Sequence, residues 1–356
     1  MTDQGRRGRG RVALAVGAAL GVVGGVAYRL NAGKRAAPTP LMVGSVVPDD
    51  EFYADERYIH DHLVDATIGD WRTRIFDQGP MNVTAGDVQG PTDAATDDVP
   101  IFFVPIIKGL EVVYAKQLRL FAETHRVLLY ERTESLDRPV GTEVRAEEIR
   151  RVLDHLGIER AHIVALGDAG IPAFNFVRDH PSRCRSLTVL CLGPRYKVPP
   201  FWLNEGIINT AMERLPLEYI VPGSVVRKQV LRGLAGTGRL PAHLIGHMLD
   251  YMPEQTRLYK YSILPMTRHH EMAPWAHRIT VPTLLMDRDD DRVAPVAEMQ
   301  ELAALLPQCH GLFVFNDGGR FITYTWADPI NARLREFFAA VKAGTPATYR
   351  FEEVPG

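Results

Sequence analysis

The sequence predicts an α/β protein: a mostly parallel central sheet with helices on both faces and a helical block inserted between two strands. Three observations carry this expectation. First, short apolar runs alternate with amphipathic helical stretches: Ile101-Phe102-Phe103-Val104, Val127-Leu128-Leu129-Tyr130, His162-Ile163-Val164-Ala165 and Leu187-Thr188-Val189-Leu190-Cys191. Strands that are apolar on both faces belong to parallel sheets covered on both sides. Second, the alternation stops over residues 195–275, a block rich in Met, Leu and Tyr that reads as helix, and resumes at Val281-Pro282-Thr283-Leu284-Leu285-Met286. Third, Ala165-Leu166-Gly167-Asp168-Ala169 makes a sharp turn of small residues from a strand into a helix, Ile171-Pro172-Ala173-Phe174-Asn175-Phe176.

Taken in order, the chain opens with an uncharged stretch, Val12 to Tyr28, preceded by Arg6, Arg7, Arg9 and Arg11 and followed by Arg29, Lys34 and Arg35. Its length corresponds to ~26 Å of helix, near the lower limit for crossing a bilayer. Three readings compete: an uncleaved membrane anchor, a signal peptide cleaved near Gly25-Val26-Ala27, and a soluble or surface-lying helix. The arginine bias favours a cytoplasmic N-terminus with the body translocated, so the body is expected to be extracytoplasmic; a secreted or cytoplasmic body is the alternative.

Asn31 to Asp50, with Pro38, Pro40 and Pro48, reads as a tether, and Glu51 to Thr67 as a short helix. Trp71 to Phe76 alternates like a strand, and Met81 to Asp98 is a polar loop holding a glycosylation-type triplet, Asn82-Val83-Thr84. Tyr114, Leu118, Phe121 and Ala122 share a helix face, and Glu143 to Leu156 is a charged amphipathic helix ended by Gly157. After the resumed strand come a helix with Met299, Leu302, Ala303 and Leu306, a strand Leu312-Phe313-Val314-Phe315, and a last helix capped by Asp328-Pro329. The expected domains are an anchor or signal segment at 1–30, a tether at 31–70, a core in two parts at 71–194 and 276–345, a helical cap at 195–275 and a tail at 346–356.

With 356 residues, the chain is long enough to bury a full core. A net charge of −2 gives no electrostatic basis for binding nucleic acid. The three cysteines, Cys184, Cys191 and Cys309, make no disulfide framework and read as buried thiols. No glycine-rich phosphate loop is present, and no cofactor is expected. His243 and His247 are at helical i, i+4 spacing but lack the glutamate of a zinc-protease motif, and His60-Asp61-His62 offers no third ligand; neither is expected to bind metal.

This order of elements resembles the α/β-hydrolase superfamily, and in particular capped members similar to epoxide hydrolases and haloalkane dehalogenases. The resemblance spans roughly Trp71 to Val341 and is sharpest over His162 to Pro181 and over Ile279 to Leu285. It implies a nucleophile elbow, an acid after a late strand and a histidine after the last strand. In this sequence Gly167 stands at the nucleophile position, bracketed by Ala165 and Ala169. Asp291, ahead of Pro295, matches the acid. Arg320, in Asp317-Gly318-Gly319-Arg320-Phe321, stands at the histidine position, and Pro105-Ile106-Ile107-Lys108-Gly109 replaces the His-Gly of the oxyanion loop.

Glycine has no nucleophile, and an arginine guanidinium does not accept a proton near neutrality. Asp291 facing Arg320 would form an ion pair, either structural or placed to hold a ligand anion. Asp168, next in line, reads as a helix N-cap, as a polar ligand contact, or as a nucleophile displaced by one residue. His269 or His270 is a candidate relocated base. Lys108, Glu111, Glu131, Arg132 and Glu134 are candidates to line a pocket at the strand ends. The cap tyrosines Tyr219, Tyr251, Tyr259 and Tyr261 could donate a hydrogen bond there. The expected function is binding of an apolar or lipid-like small molecule by a membrane-tethered, non-hydrolytic member of this fold. The alternative is a non-standard enzyme: a cyclase or lyase, or a hydrolase using Asp168.

Overall fold

The structure is a computed structural model that describes residues 47–80, 99–196, 205–219, 222–224, 227, 231, 239–252, 254–291, 293–316 and 321–354. Val12 to Tyr28 and Asn82 to Thr84 lie outside the described residues. Among the described residues, no helix is long and apolar enough to cross a membrane.

Nine strands form one sheet in the order β1-β2-β4-β3-β5-β6-β7-β8-β9. The strands β3 (Ile101–Val104), β4 (Val127–Tyr130), β5 (Ala161–Leu166), β6 (Cys184–Leu190) and β7 (Thr283–Arg288) are buried along nearly their whole length, as the apolar runs required. With β8 (Cys309–Phe315) they pair in parallel. β1 (Leu63–Ile68) and β2 (Trp71–Gln78) are antiparallel additions at one edge. Apolar clusters fill both faces of the sheet. The helices that cover them include α1 (Asp49–His62), α2 (Ala115–Phe121), α3 (Thr142–His155), α4 (Gly170–Asp179), α5 (Glu205–Arg214), α6 (Ala242–Asp250), α7 (Val296–Leu305) and α8 (Ala327–Lys342).

Four sequence expectations need correction. From Val47 onward, the segment read as tether and short helix is part of the folded body. α1 buries Phe52, Asp55 and Ile59 on one face, and β1 follows it directly. β1 turns into β2 through Gly69-Asp70, with Gly69 at φ +65°, a two-residue hairpin loop. The tail is also structured: β9 (Arg350–Val354) adds a parallel strand beside β8. Cys191 is not in a strand but just past β6, with φ +55°. α8 starts at Ala327, so Asp328 sits in its first turn and Trp326 is the cap residue. All three thiols are unoxidised and buried.

The described part of the inserted block is mostly helical, and Arg195 and Glu271 near its two ends form an isolated antiparallel bridge. Leu244, Ile245, Met248 and Leu249 of α6 join the same apolar cluster as Leu110, Val112, Tyr114, Leu166 and Cys191. The cap therefore packs on the carboxyl ends of the strands as a continuation of the core.

Candidate functional site

β5 runs without a break into the elbow. Gly167 has φ +57°, a left-handed conformation that suits a residue with no side chain. A tight helical turn over Gly167–Ala169 leads into α4. Gly170 fixes the approach of the next strand: a methyl group there would meet Leu192 Cδ2 at 2.6 Å. The elbow therefore has the expected backbone, with no side chain at its apex.

Asp168 is half-buried within this turn and is not the N-cap of α4, which is Ala169. The charge of Asp168 acts on His270, which is buried and hydrogen-bonded through Nε2 to the Gly193 carbonyl at 3.0 Å. Burial pulls the His270 pKa down to about 4, so the ring is neutral at physiological pH. The structure thus brings together Asp168 and one of the two histidines singled out from the sequence.

Beneath the elbow lies a residue that was read from the sequence only as helix core. The Tyr114 hydroxyl donates to the Val104 carbonyl at 3.1 Å and accepts from the Leu166 N–H at 2.8 Å. It is fully buried and bridges the ends of β3 and β5. A tyrosine ten residues after a strand is a weak sequence signal, because its polar end is satisfied only in three dimensions.

Asp291 is buried, and both of its oxygens are engaged. Oδ1 accepts from the N–H groups of Val293 (2.6 Å) and Ala294 (3.0 Å), closing the loop after β7. Oδ2 faces Arg288 Nε at 3.2 Å. Arg320, expected opposite Asp291, lies outside the described residues. The partner observed is Arg288, three residues back at the end of β7. Asp287 is buried at the end of β7, where burial and the charge of Asp291 push its pKa well above the usual carboxylate range. The signal for both residues was two charged side chains closing an otherwise apolar strand.

Lys108 and Glu131 do line a concavity, but a different one from the elbow. With Asp65, Arg72, Thr73, Arg74, Arg132, Thr133 and Glu134 they form a charged cleft of about 420 Å³ at the β1–β2 edge. Glu131 is clamped between Lys108 Nζ and Arg74 Nε, each at 2.5 Å. Burial opposes its ionisation, but these two cations outweigh it and lower its pKa. Glu134 is held by Arg132 at 2.7 Å and Arg145 at 3.3 Å.

Glu111 is buried in the loop after β3 and accepts from the Gly109 N–H at 2.8 Å. Burial lifts its pKa to about 7. The same loop supports the cap. Gly109 has φ +91°, and a methyl group there would lie 2.6 Å from Tyr251 Cβ.

The remaining candidates are placed elsewhere. Tyr219 is on the surface, 74% exposed, so it does not line an enclosed pocket. Tyr261 donates to Glu218 at 3.0 Å. His243 and His247 face Asp49 (2.8 Å) and Glu56 (3.0 Å) of α1, joining the N-terminal helix to the cap. His60 packs against the Tyr251 ring, and His62 Nδ1 is bonded to the Tyr58 carbonyl.

This fold recurs in solved structures. The enol-lactonase of Burkholderia xenovorans LB400 aligns with a TM-score of 0.60 at 17% identity, covering 78% of this chain and all of its own. The chain is an α/β-hydrolase-fold protein. A structure titled a membrane phospholipase A, a bacterial virulence factor, covers 93% of this chain and 99% of its own, with a TM-score of 0.59 at 15% identity. By sequence, a 180-residue stretch is 26% identical to a poly(3-hydroxyalkanoate) depolymerase of Ectopseudomonas oleovorans, covering 48% of this chain. That match spans 59% of the depolymerase, less than two thirds of its length. No family model matches the chain. The relatives are hydrolases of the α/β-hydrolase fold.

Proposed function

We propose that this α/β-hydrolase-fold protein is membrane-tethered, has lost the hydrolytic triad and binds an apolar or lipid-like small molecule beneath its cap. The observation that carries the reading is the elbow itself. Its backbone keeps the left-handed turn at Gly167, yet the residue offers nothing that can attack a carbonyl. Asp291 supports the same reading, because its Oδ2 faces the Arg288 guanidinium at 3.2 Å.

Met248, Met252 and Leu258 are buried in the apolar cluster that joins cap and sheet, so a ligand admitted between them would meet an apolar lining. The Val12–Tyr28 segment between arginines supports tethering, as does the membrane phospholipase that aligns with most of the chain. The test is equilibrium binding of a fluorescent long-chain acyl probe to the full chain in nanodiscs. Saturable one-to-one binding without turnover is expected. Turnover of p-nitrophenyl acyl esters, or the lack of saturable binding, would contradict the reading.

A second reading is favoured by the Asp168–His270 pair. With Nε2–H given to Gly193, the neutral ring keeps a lone pair on Nδ1, as a general base requires. Asp168 would attack an epoxide or ester, and His270 would activate the water that releases it. Mass spectrometry after incubation with a 1,2-epoxide tests this reading: an adduct on Asp168, absent in Asp168→Asn, would establish it, and an unmodified Asp168 would remove it.

A further inference from the structure

At the carboxyl ends of β6 and β7, Cys191 Sγ and one carboxylate oxygen each from Asp287 and Asp291 lie within 4.8 Å of one another, and all three residues are buried. Asp287 is 0% exposed, and among the described residues neither of its oxygens has a donor at full hydrogen-bond geometry. The Cys191 thiol and the Arg288 backbone N–H lie beside it and partly offset the effect of burial on its ionisation. A buried carboxyl with neither oxygen satisfied costs free energy, and nearly all such groups in folded proteins have a partner. Cys191 holds a left-handed backbone, φ +55°, that residues with a side chain rarely adopt. Its N–H is tied to the Met286 carbonyl at 3.0 Å, which fixes it beside β7.

We propose that Cys191, Asp287 and Asp291 form a site for a thiophilic divalent cation such as Zn²⁺. The donor set of one thiolate and two carboxylates suits zinc, and three protein ligands leave a fourth position for water. Tetrahedral zinc with these ligands sets them roughly 3.3–3.8 Å apart, so the observed spacing needs only a small contraction. The charges also close: a thiolate and two carboxylates are balanced by the cation together with Arg288, whose guanidinium already touches Asp291. Cys184 and Cys309 lack such company, since their thiols donate to the carbonyls of Ser186 (3.1 Å) and Gly311 (3.7 Å). The site goes beyond the sequence expectation of no metal. It stands independently of the non-hydrolytic reading, because cation binding is measured without reference to turnover.

The test is titration of the chelator-stripped, reduced full chain with Co²⁺. One equivalent should bind at micromolar concentration with a thiolate-to-cobalt charge-transfer band in the near ultraviolet, and Zn²⁺ should displace it. Cys191→Ser should remove the band, and Asp287→Asn, nearly isosteric with the protonated acid, should weaken binding at least tenfold. Cys184→Ser and Cys309→Ser should keep it. The proposal is overturned by the lack of a saturable band, by wild-type affinity in Asp287→Asn, or by loss of the band with Cys184 or Cys309 in place of Cys191. If Cys191→Ser fails to fold, the Asp287→Asn result decides.

Discussion

Replacing Asp291 with alanine separates a structural aspartate from a catalytic one. The side chain closes the loop after β7 by accepting from Val293 and Ala294 and by pairing with Arg288, whose own side chain is 6% exposed. An unsatisfied buried N–H costs about 1–3 kcal/mol, and stranding a buried charge costs about 3–5 kcal/mol. Arg288 retains Asp290 at 3.1 Å, a carboxylate 40% exposed, and the loop can admit water, so both costs are reduced. The expected destabilisation of Asp291→Ala is about 3 kcal/mol. Asp291→Asn keeps an acceptor for the loop and loses only the charge facing Arg288, so about half of that is expected. Urea unfolding followed by tryptophan fluorescence in the presence of a chelator measures both values, using the four native tryptophans. An alanine variant within about 1 kcal/mol of wild type would refute the structural role.

Three further outcomes follow from the same geometry. Glu111 has a pKa raised to about 7 in the folded state, so the native protein holds a proton that the unfolded chain releases above its ordinary range; stability should fall as pH rises from about 4.5 to 7. Thermal melts across that window should lose this decline in Glu111→Gln. His270 acts in the opposite sense: with its pKa lowered to about 4, the unfolded chain binds the extra proton. Its stabilising contribution is full above about 6.5 and lost as pH falls toward 4, and His270→Gln should flatten that acid-side loss in the same melts. Gly109→Ala should destabilise by about 2 kcal/mol or more, because the residue holds φ +91° and the added carbon meets Tyr251 Cβ at 2.6 Å. A melting temperature equal to wild type would show that the cap does not rest on this loop.

The central sheet was legible because its strands are buried on both faces, and such strands leave continuous apolar runs such as Ile101–Val104. β1 and β9 were missed for the converse reason. Val64 is 67% exposed, and Arg350, Phe351 and Glu353 of β9 are also exposed, so neither edge strand carries a buried run. The elbow could be read because a small-residue turn between a strand and a helix is a local pattern, and Gly167 has the conformation that pattern demands. What surrounds it could not be read. The Tyr114 bridge depends on two strands separated by more than fifty residues of chain, and the convergence of Cys191 on Asp287 depends on the β6–β7 register. Arg288 as the partner of Asp291 is local, three residues away, but it competes with every other arginine until the loop geometry is known. Lys108 and Glu131 were each read as candidates to line a pocket at strand ends, and the cleft they share is on the β1–β2 side, built by a hairpin whose first strand was not foreseen.

The central claim is that the elbow no longer supports acyl hydrolysis, and intact-mass spectrometry of the full chain after treatment with a fluorophosphonate tests it most directly. With Gly167 at the apex, the chain should remain unmodified at concentrations that label a serine hydrolase completely. A stoichiometric phosphonyl adduct on a serine of this chain, lost on denaturation before labelling, would contradict the account.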